Sequence, residues 1–137
     1  MNQNAIIVDI DGTVADGGDR SPYDYENVDK DKPIYRIVEL VRHLRRKYFI
    51  IFVSGREETC RVKTQLWIWK HIKVNSFELF MRKEKDYRQD AIIKQEIYEN
   101  EIEGKYNIHF VLDDRDQVVA MWRKKGLTCL QVDYGDF

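Results

Sequence analysis

The segment Ala5-Ile6-Ile7-Val8-Asp9 constrains the fold more than any other part of the chain. Its apolar run has no polar alternation and is rich in β-branched residues. Such a strand must be covered on both faces, as inside a parallel sheet. The run then stops on a carboxylate. A second run, Tyr48-Phe49-Ile50-Ile51-Phe52-Val53, closes at Ser54-Gly55-Arg56, and a third, 108–112, stops at Asp113-Asp114. Shorter strands are expected at 77–81 and 128–132.

Helical patterns separate these runs. Pro33 suits the first turn of a helix carrying the stripe Ile34, Ile37, Val38, Val41 and Leu44. Arg45, Arg46 and Lys47 follow at its end, where cations suit the helix dipole. A second helix is expected over 57–72, with Val62, Leu66, Trp69 and Ile72 on one face. Trp67 and Trp69 are read as packing residues rather than base-stacking ones. A third helix is expected over 88–100. A fourth turns Val118, Val119 and Trp122 inward and stops at Gly126. This alternation predicts an α/β fold: a Rossmann-like three-layer α/β/α arrangement around a central parallel sheet, without a separate cap domain. The length predicts a single domain, 1–137.

The segment 12–32 stands apart. It is polar, holds three of the seven glycines and has no helical period. Irregular segments of that length in compact domains are usually functional, so a flap over a site is expected; disorder is the plainer alternative.

Composition removes several classes. With 23 basic and 24 acidic side chains, no global field holds a polyanion. A nucleic-acid substrate would need a local basic patch. Cys60 and Cys129 lack metal-ligand spacing and are expected to be reduced and packed. His43, His71 and His109 show no metal or relay spacing. No signal peptide is recognisable, and the longest apolar run, 48–53, is too short to cross a bilayer. A cytoplasmic protein without membrane association is the expectation. No Gly-x-x-x-x-Gly-Lys-[Ser/Thr] string occurs, which argues against a P-loop kinase activity.

In open α/β sheets, ligands bind beyond the carboxyl ends of the strands. Asp9, Ser54 and Asp113-Asp114 all fall there. Asp9 can attack phosphorus to give an aspartyl-phosphate. Asp11, if its surroundings keep it protonated, can donate to the leaving alcohol and later take a proton from water. Gly12 permits a close turn that brings backbone N–H groups to a phosphate. Ser54 could bind a phosphoryl oxygen, and Arg56 could neutralise its charge. The adjacent carboxylates of Asp113 and Asp114 call for a cation, and Mg²⁺ suits oxygen ligands. Asp90 and Lys94 share a helix face at i, i+4 spacing. Each feature has a plainer reading alone: an Asp-Gly turn, a serine cap, first-turn acids, a surface ion pair. Their convergence at one end of the sheet carries the argument.

Asp9-Ile10-Asp11-Gly12-Thr13-Val14 resembles the first motif of the haloacid dehalogenase superfamily. Ser54, Lys94 and Asp113-Asp114 fall where its other motifs would. A closer resemblance runs through Arg20-Ser21-Pro22-Tyr23-Asp24, Val53-Ser54-Gly55-Arg56-Glu57, Asp86-Tyr87-Arg88-Gln89-Asp90 and Leu112-Asp113-Asp114-Arg115-Asp116. These strings are similar to the 3′-phosphatase domain of phage-type polynucleotide kinase-phosphatases. The resemblance implies Mg²⁺-dependent removal of 3′-phosphates from DNA or RNA ends during repair. It implies Asp9 as nucleophile, Asp11 as acid/base, and Lys94 and Arg56 as catalytic cations. Ser54, Gly55, Thr13, Arg20, Arg82, Arg88 and Asp90 would form the substrate-binding set. Asp9, Asp11 through its backbone carbonyl, Asp113 and Asp114 would hold the metal, with Asp114 favoured over Asp113 as direct ligand. Lys83 and Lys85 compete with Lys94 for the phosphoryl group. A separate kinase or ligase partner is implied where no kinase motif is present. The competing readings are a phosphatase of nucleotides or other small phosphomonoesters, and a non-catalytic phosphate-sensing module built like a receiver domain.

Overall fold

Five parallel strands form the centre of the computed structural model, which describes residues 2–137. In chain order the elements are β1 (Gln3–Val8), β2 (Ala15–Asp16), β3 (Lys32–Pro33), α1 (Tyr35–Leu44), β4 (Phe49–Glu57), α2 (Arg61–His71), β5 (Phe77–Arg82), α3 (Asp90–Ile97), β6 (Tyr106–Asp113), α4 (Asp116–Lys124) and β7 (Cys129–Gln131). The sheet order is β5-β4-β1-β6-β7, with β1 central. The expected three-layer α/β/α architecture is present.

Alternation along the strands builds the layers. Ile6 and Val8 of β1, with Ile50 and Phe52 of β4, pack beneath α1 and α2 through Val38, Val41, Trp67 and Ile68. Ala5, Ile7, Ile51 and Val53 point the other way, against Val118, Val119 and Trp122 of α4 and against Tyr98 and Ile102. Tyr98–Ile102 is a π-helical turn that extends α3. Each fully buried aliphatic side chain contributes about 1.5–3 kcal/mol. Both faces of β1 and β4 are consumed in this way, so their polar ends are the parts left for chemistry.

Two local expectations need correction. Pro33 does not open α1: it pairs with Ala15 in the short β2–β3 ladder. The N–H of Ile34 still bonds the carbonyl of Val14 at 2.8 Å, so the chain turns helical only at Tyr35. Segment 12–32 is anchored rather than disordered. Val14, Ala15, Val28 and Asp31 are buried, and the Trp67 indole N–H bonds the Asp31 carbonyl at 2.8 Å. The second correction concerns α2. Val62, Leu66 and Trp69 are 67%, 57% and 61% exposed, whereas Thr64, Trp67 and Ile68 are buried. The helix is rotated from its apolar stripe because Thr64 and Trp67 are hydrogen-bonded to groups beneath it.

Cys60 and Cys129 are free and buried. Burial chiefly, with the Asp113 carboxylate second, pushes the Cys129 thiol up to about 12. Among the described residues no helix is long and apolar enough to cross a membrane.

Candidate active site

β1 and β6 are neighbours in the sheet and end side by side, so Asp9 lies beside Asp113 and Asp114. All three carboxylates are buried, and one oxygen of each lies within 4.8 Å of the others. Lys94, reaching in from α3, places Nζ 2.7 Å from Asp9 Oδ1 and 3.1 Å from Asp113 Oδ2. The Thr13 hydroxyl donates to Asp9 Oδ2 at 2.8 Å. Both oxygens of Asp9 are therefore oriented. Thr13 is fully buried. Thr13 was expected to contact substrate; its hydroxyl is engaged by Asp9.

The two carboxylates of the pair differ. Asp113 accepts from Lys94, from the Trp122 indole N–H at 3.1 Å, and from the backbone N–H of Asp114 at 2.8 Å. Asp114 instead faces Asp9 and Gly12. A Cβ on Gly12 would lie 2.1 Å from Asp114 Oδ2, and its φ of +81° is in the left-handed region as well. No larger residue fits there. Burial first, then Asp113, raises Asp9 well above its ordinary value, against the opposing pull of Lys94. Burial also raises Asp114. Lys94 stays charged despite its burial, because Asp113 and Asp9 raise its pKa. Three buried carboxylates thus share one ammonium. Oxygen donors so arranged fit a small hard cation such as Mg²⁺.

A second cluster stands at the mouth. Arg56 binds Asp11 through Nη2 at 2.8 Å and Nε at 3.0 Å, and it binds Asp31 through Nη2 at 2.8 Å. Arg20 binds the same Asp31 through Nε at 2.8 Å and Nη2 at 2.9 Å, and touches Asp11 at 3.3 Å. The side chain of Asp11, the expected acid/base, is 48% exposed and ion-paired with two guanidiniums. A bulge carries Arg56 inward: β4 pairs with β5 at Ser54 and again at Glu57, leaving Gly55 and Arg56 outside the ladder.

Ser54 is buried inside β4, not at a helix cap, and its Oγ accepts the Arg56 N–H at 3.1 Å. Gly55 leaves room for Asp90, whose Oδ1 would lie 2.6 Å from a Cβ there. Asp90 does not pair with Lys94. It bridges Arg82 and Arg115 instead. Arg82 was expected to contact substrate; its guanidinium is already engaged by the carbonyls of Gly55, Asp86 and Arg88 and by Asp90. It braces the 83–89 loop. Arg88 is exposed and pairs with Asp86 and Glu96. Lys94, rather than Lys83 or Lys85, holds Asp9. Sequence reasoning missed Asp31, which sits in a segment without period and meets its partners only through the fold. Trp122 was read as core alone, although its N–H also fixes Asp113.

Comparison with known proteins addresses what this arrangement belongs to. Residues 3–137 match the family of polynucleotide kinase PNKP phosphatase domains. The chain belongs to that family. It is 39% identical over 122 residues to a protein of Autographa californica nuclear polyhedrosis virus described as a bifunctional polynucleotide kinase/RNA ligase. That match takes in 87% of this chain but 18% of the viral protein. A chain in the structure of the Pnkp1/Rnl/Hen1 RNA repair complex superposes with a TM-score of 0.94 at 40% identity, over 99% of this chain and 44% of that one. The class C acid phosphatase from Bacillus anthracis with tungstate bound shares the fold alone, with a TM-score of 0.70 at 15% identity over 99% of this chain and 70% of that one. The chain thus spans less than half of the first relatives it matches. Membership of this family makes the protein a phosphatase of the haloacid dehalogenase superfamily.

Proposed function

We propose that the protein removes 3′-phosphates from nucleic-acid ends, with Mg²⁺, through an aspartyl-phosphate on Asp9. The observation that carries this reading is Asp9 itself: a buried carboxylate at the end of the central strand, held by Lys94 and Thr13 and backed by Asp113 and Asp114. Asp9, the Asp11 carbonyl and Asp114 would hold the metal. Asp113, whose oxygens already serve Lys94, Trp122 and backbone, would orient the set. Bound Mg²⁺ neutralises the acids and the phosphoryl oxygens.

In the first step an Asp9 oxygen bonds to phosphorus and the bond to O3′ breaks. Asp11, once the entering phosphate has drawn Arg56 and Arg20 from it, takes up a proton from solvent and passes it to the departing oxygen. In the second step Asp11 removes a proton from water, the water oxygen bonds to phosphorus, and the Asp9–phosphorus bond breaks to release phosphate. Arg56 and Arg20 pair with Asp11 in the free protein. An entering phosphate competes for those guanidiniums, which frees Asp11 as it binds. Segment 12–32, which supplies Arg20 and Asp31, serves as the flap. Oligonucleotides with matched 3′- and 5′-phosphate ends test the reading: Mg²⁺-dependent phosphate release from the 3′ end is expected, and none from either end by the folded protein rejects it. A relative in an RNA repair complex and another described as a kinase/ligase support a kinase or ligase as working partner.

A further inference from the structure

Tyrosines fall into two populations in this fold. Those near the amino ends of the strands are packed: Tyr48 against His109 and Phe110, Tyr106 against Phe49. Tyr35, which opens α1, is 73% exposed, and in loops beyond the carboxyl ends of the strands Tyr23, Tyr87 and Tyr134 are 83%, 82% and 94% exposed. These last three contribute little to the core, yet each is mounted on a loop tied by hydrogen bonds to a different part of the site.

The Tyr23 turn wraps Arg20, which bonds the carbonyls of Ser21 and Asp24 and reaches Asp11 with its other nitrogen. The Tyr87 loop is pinned by Arg82, which bonds the carbonyls on either side of Tyr87 and that of Gly55. Tyr134 lies between Val132, whose N–H bonds the Asp113 carbonyl at 3.0 Å, and Gly135, whose carbonyl accepts the Asp116 N–H at 2.8 Å. Gly135 packs so closely that a Cβ would lie 1.9 Å from the Asp114 carbonyl oxygen. Tyr87 follows β5 and Tyr134 follows β7, the two edge strands, and Tyr23 lies in the segment between β2 and β3.

We infer that Tyr23, Tyr87 and Tyr134 form a stacking platform for the bases of a single strand whose 3′ end enters the Asp9 site. The inference rests on the proposed function and adds how the strand is held. Exposed rings on fixed mounts lose little entropy on stacking, and every base has a π-face, so grip would be independent of sequence. It also resolves the charge problem: a protein with a net charge of −1 would grip a polyanion through stacking and a few placed arginines.

The test compares a 3′-phosphorylated single-stranded decamer with a 3′-mononucleotide, alongside fluorescence quenching of an unphosphorylated decamer carrying 2-aminopurine near its 3′ end. Wild-type protein should favour the decamer in kcat/KM and quench the probe. Tyr23→Ala, Tyr87→Ala and Tyr134→Ala should each cut the decamer-to-mononucleotide ratio about fivefold or more, and the triple variant by more than any single one. Phenylalanine at the same positions should restore both readouts, which separates stacking from loop damage. Equal ratios and equal quenching in wild type and the triple alanine variant would overturn the platform, as would absence of quenching by wild type. Quenching without phosphate release from the decamer would instead reject the 3′-phosphatase reading and leave the platform standing.

Discussion

The two charge clusters at the carboxyl edge of the sheet are neighbours built on opposite terms. The inner one sets Asp9, Asp113 and Asp114 against Lys94 alone, all buried. The outer one sets Asp11 and Asp31 against Arg20 and Arg56, in balance, with Asp11 half in solvent. The inner cluster is short of positive charge and would be completed by a cation. The outer cluster is complete and would have to be broken, by an anion that takes its arginines. On the proposed function, a phosphate with a metal would do both.

Predictions follow from that contrast, the largest effect first. Asp9→Asn should lower phosphate release by about a thousandfold or more, because the nucleophile itself is lost. Full activity in a single-turnover assay would break the assignment. Lys94→Met should cost about 3–5 kcal/mol in urea unfolding, since it leaves buried carboxylates without their only ammonium. A neutral result would mean the inner acids are relieved some other way.

Metal should stabilise the folded protein by about 2.7 kcal/mol at a hundredfold excess over its Kd, and Asp114→Asn should remove most of that gain. The gain carries a pH sign. Asp9 binds its proton more tightly in the folded metal-free state than unfolded, chiefly through burial. That stability is present at acid pH and is lost as pH rises through the raised value. Protons and metal compete for the same oxygens, so the metal-induced rise in melting temperature should be larger at pH 8 than at pH 5. At the mouth, Asp31→Asn should cost about tenfold in kcat/KM, mostly through KM, because Arg20 and Arg56 lose the carboxylate that aligns them. Farthest from both clusters, Leu66→Lys on the exposed face of α2 should stay within about 0.5 kcal/mol of wild type.

The inner cluster was legible in the sequence and the outer one only in part. Asp9, Ser54 and Asp113-Asp114 each end a run that must be buried on both faces, so the apolar pattern marks their positions. Lys94 was legible once placed on a helix with Asp90, although the two do not pair. Asp31 gave no such signal: its place depends on Trp67 and on two arginines distant in sequence. The same cause misdirected α2. Val62, Leu66 and Trp69 form the better apolar stripe, yet Thr64 and Trp67 are the residues bonded beneath the helix, to Arg56 and Asp31. A polar anchor on another element outweighed the local pattern, and a single helix cannot reveal such an anchor.

The central position of β1 bears on how the protein acquires its structure. Ala5 pairs with Phe49 on one side and Ile108 on the other. The strand that carries Asp9 must therefore wait for partners about forty and about a hundred residues further along, and such non-local pairings slow folding. Until β6 docks, one edge of β1 is open and its apolar side chains are exposed, a state prone to aggregation. Asp9, Lys94 and Asp113 come together only when that docking is complete. Acquisition of the metal site should accordingly be among the last events of folding, and metal should slow unfolding far more than it speeds folding.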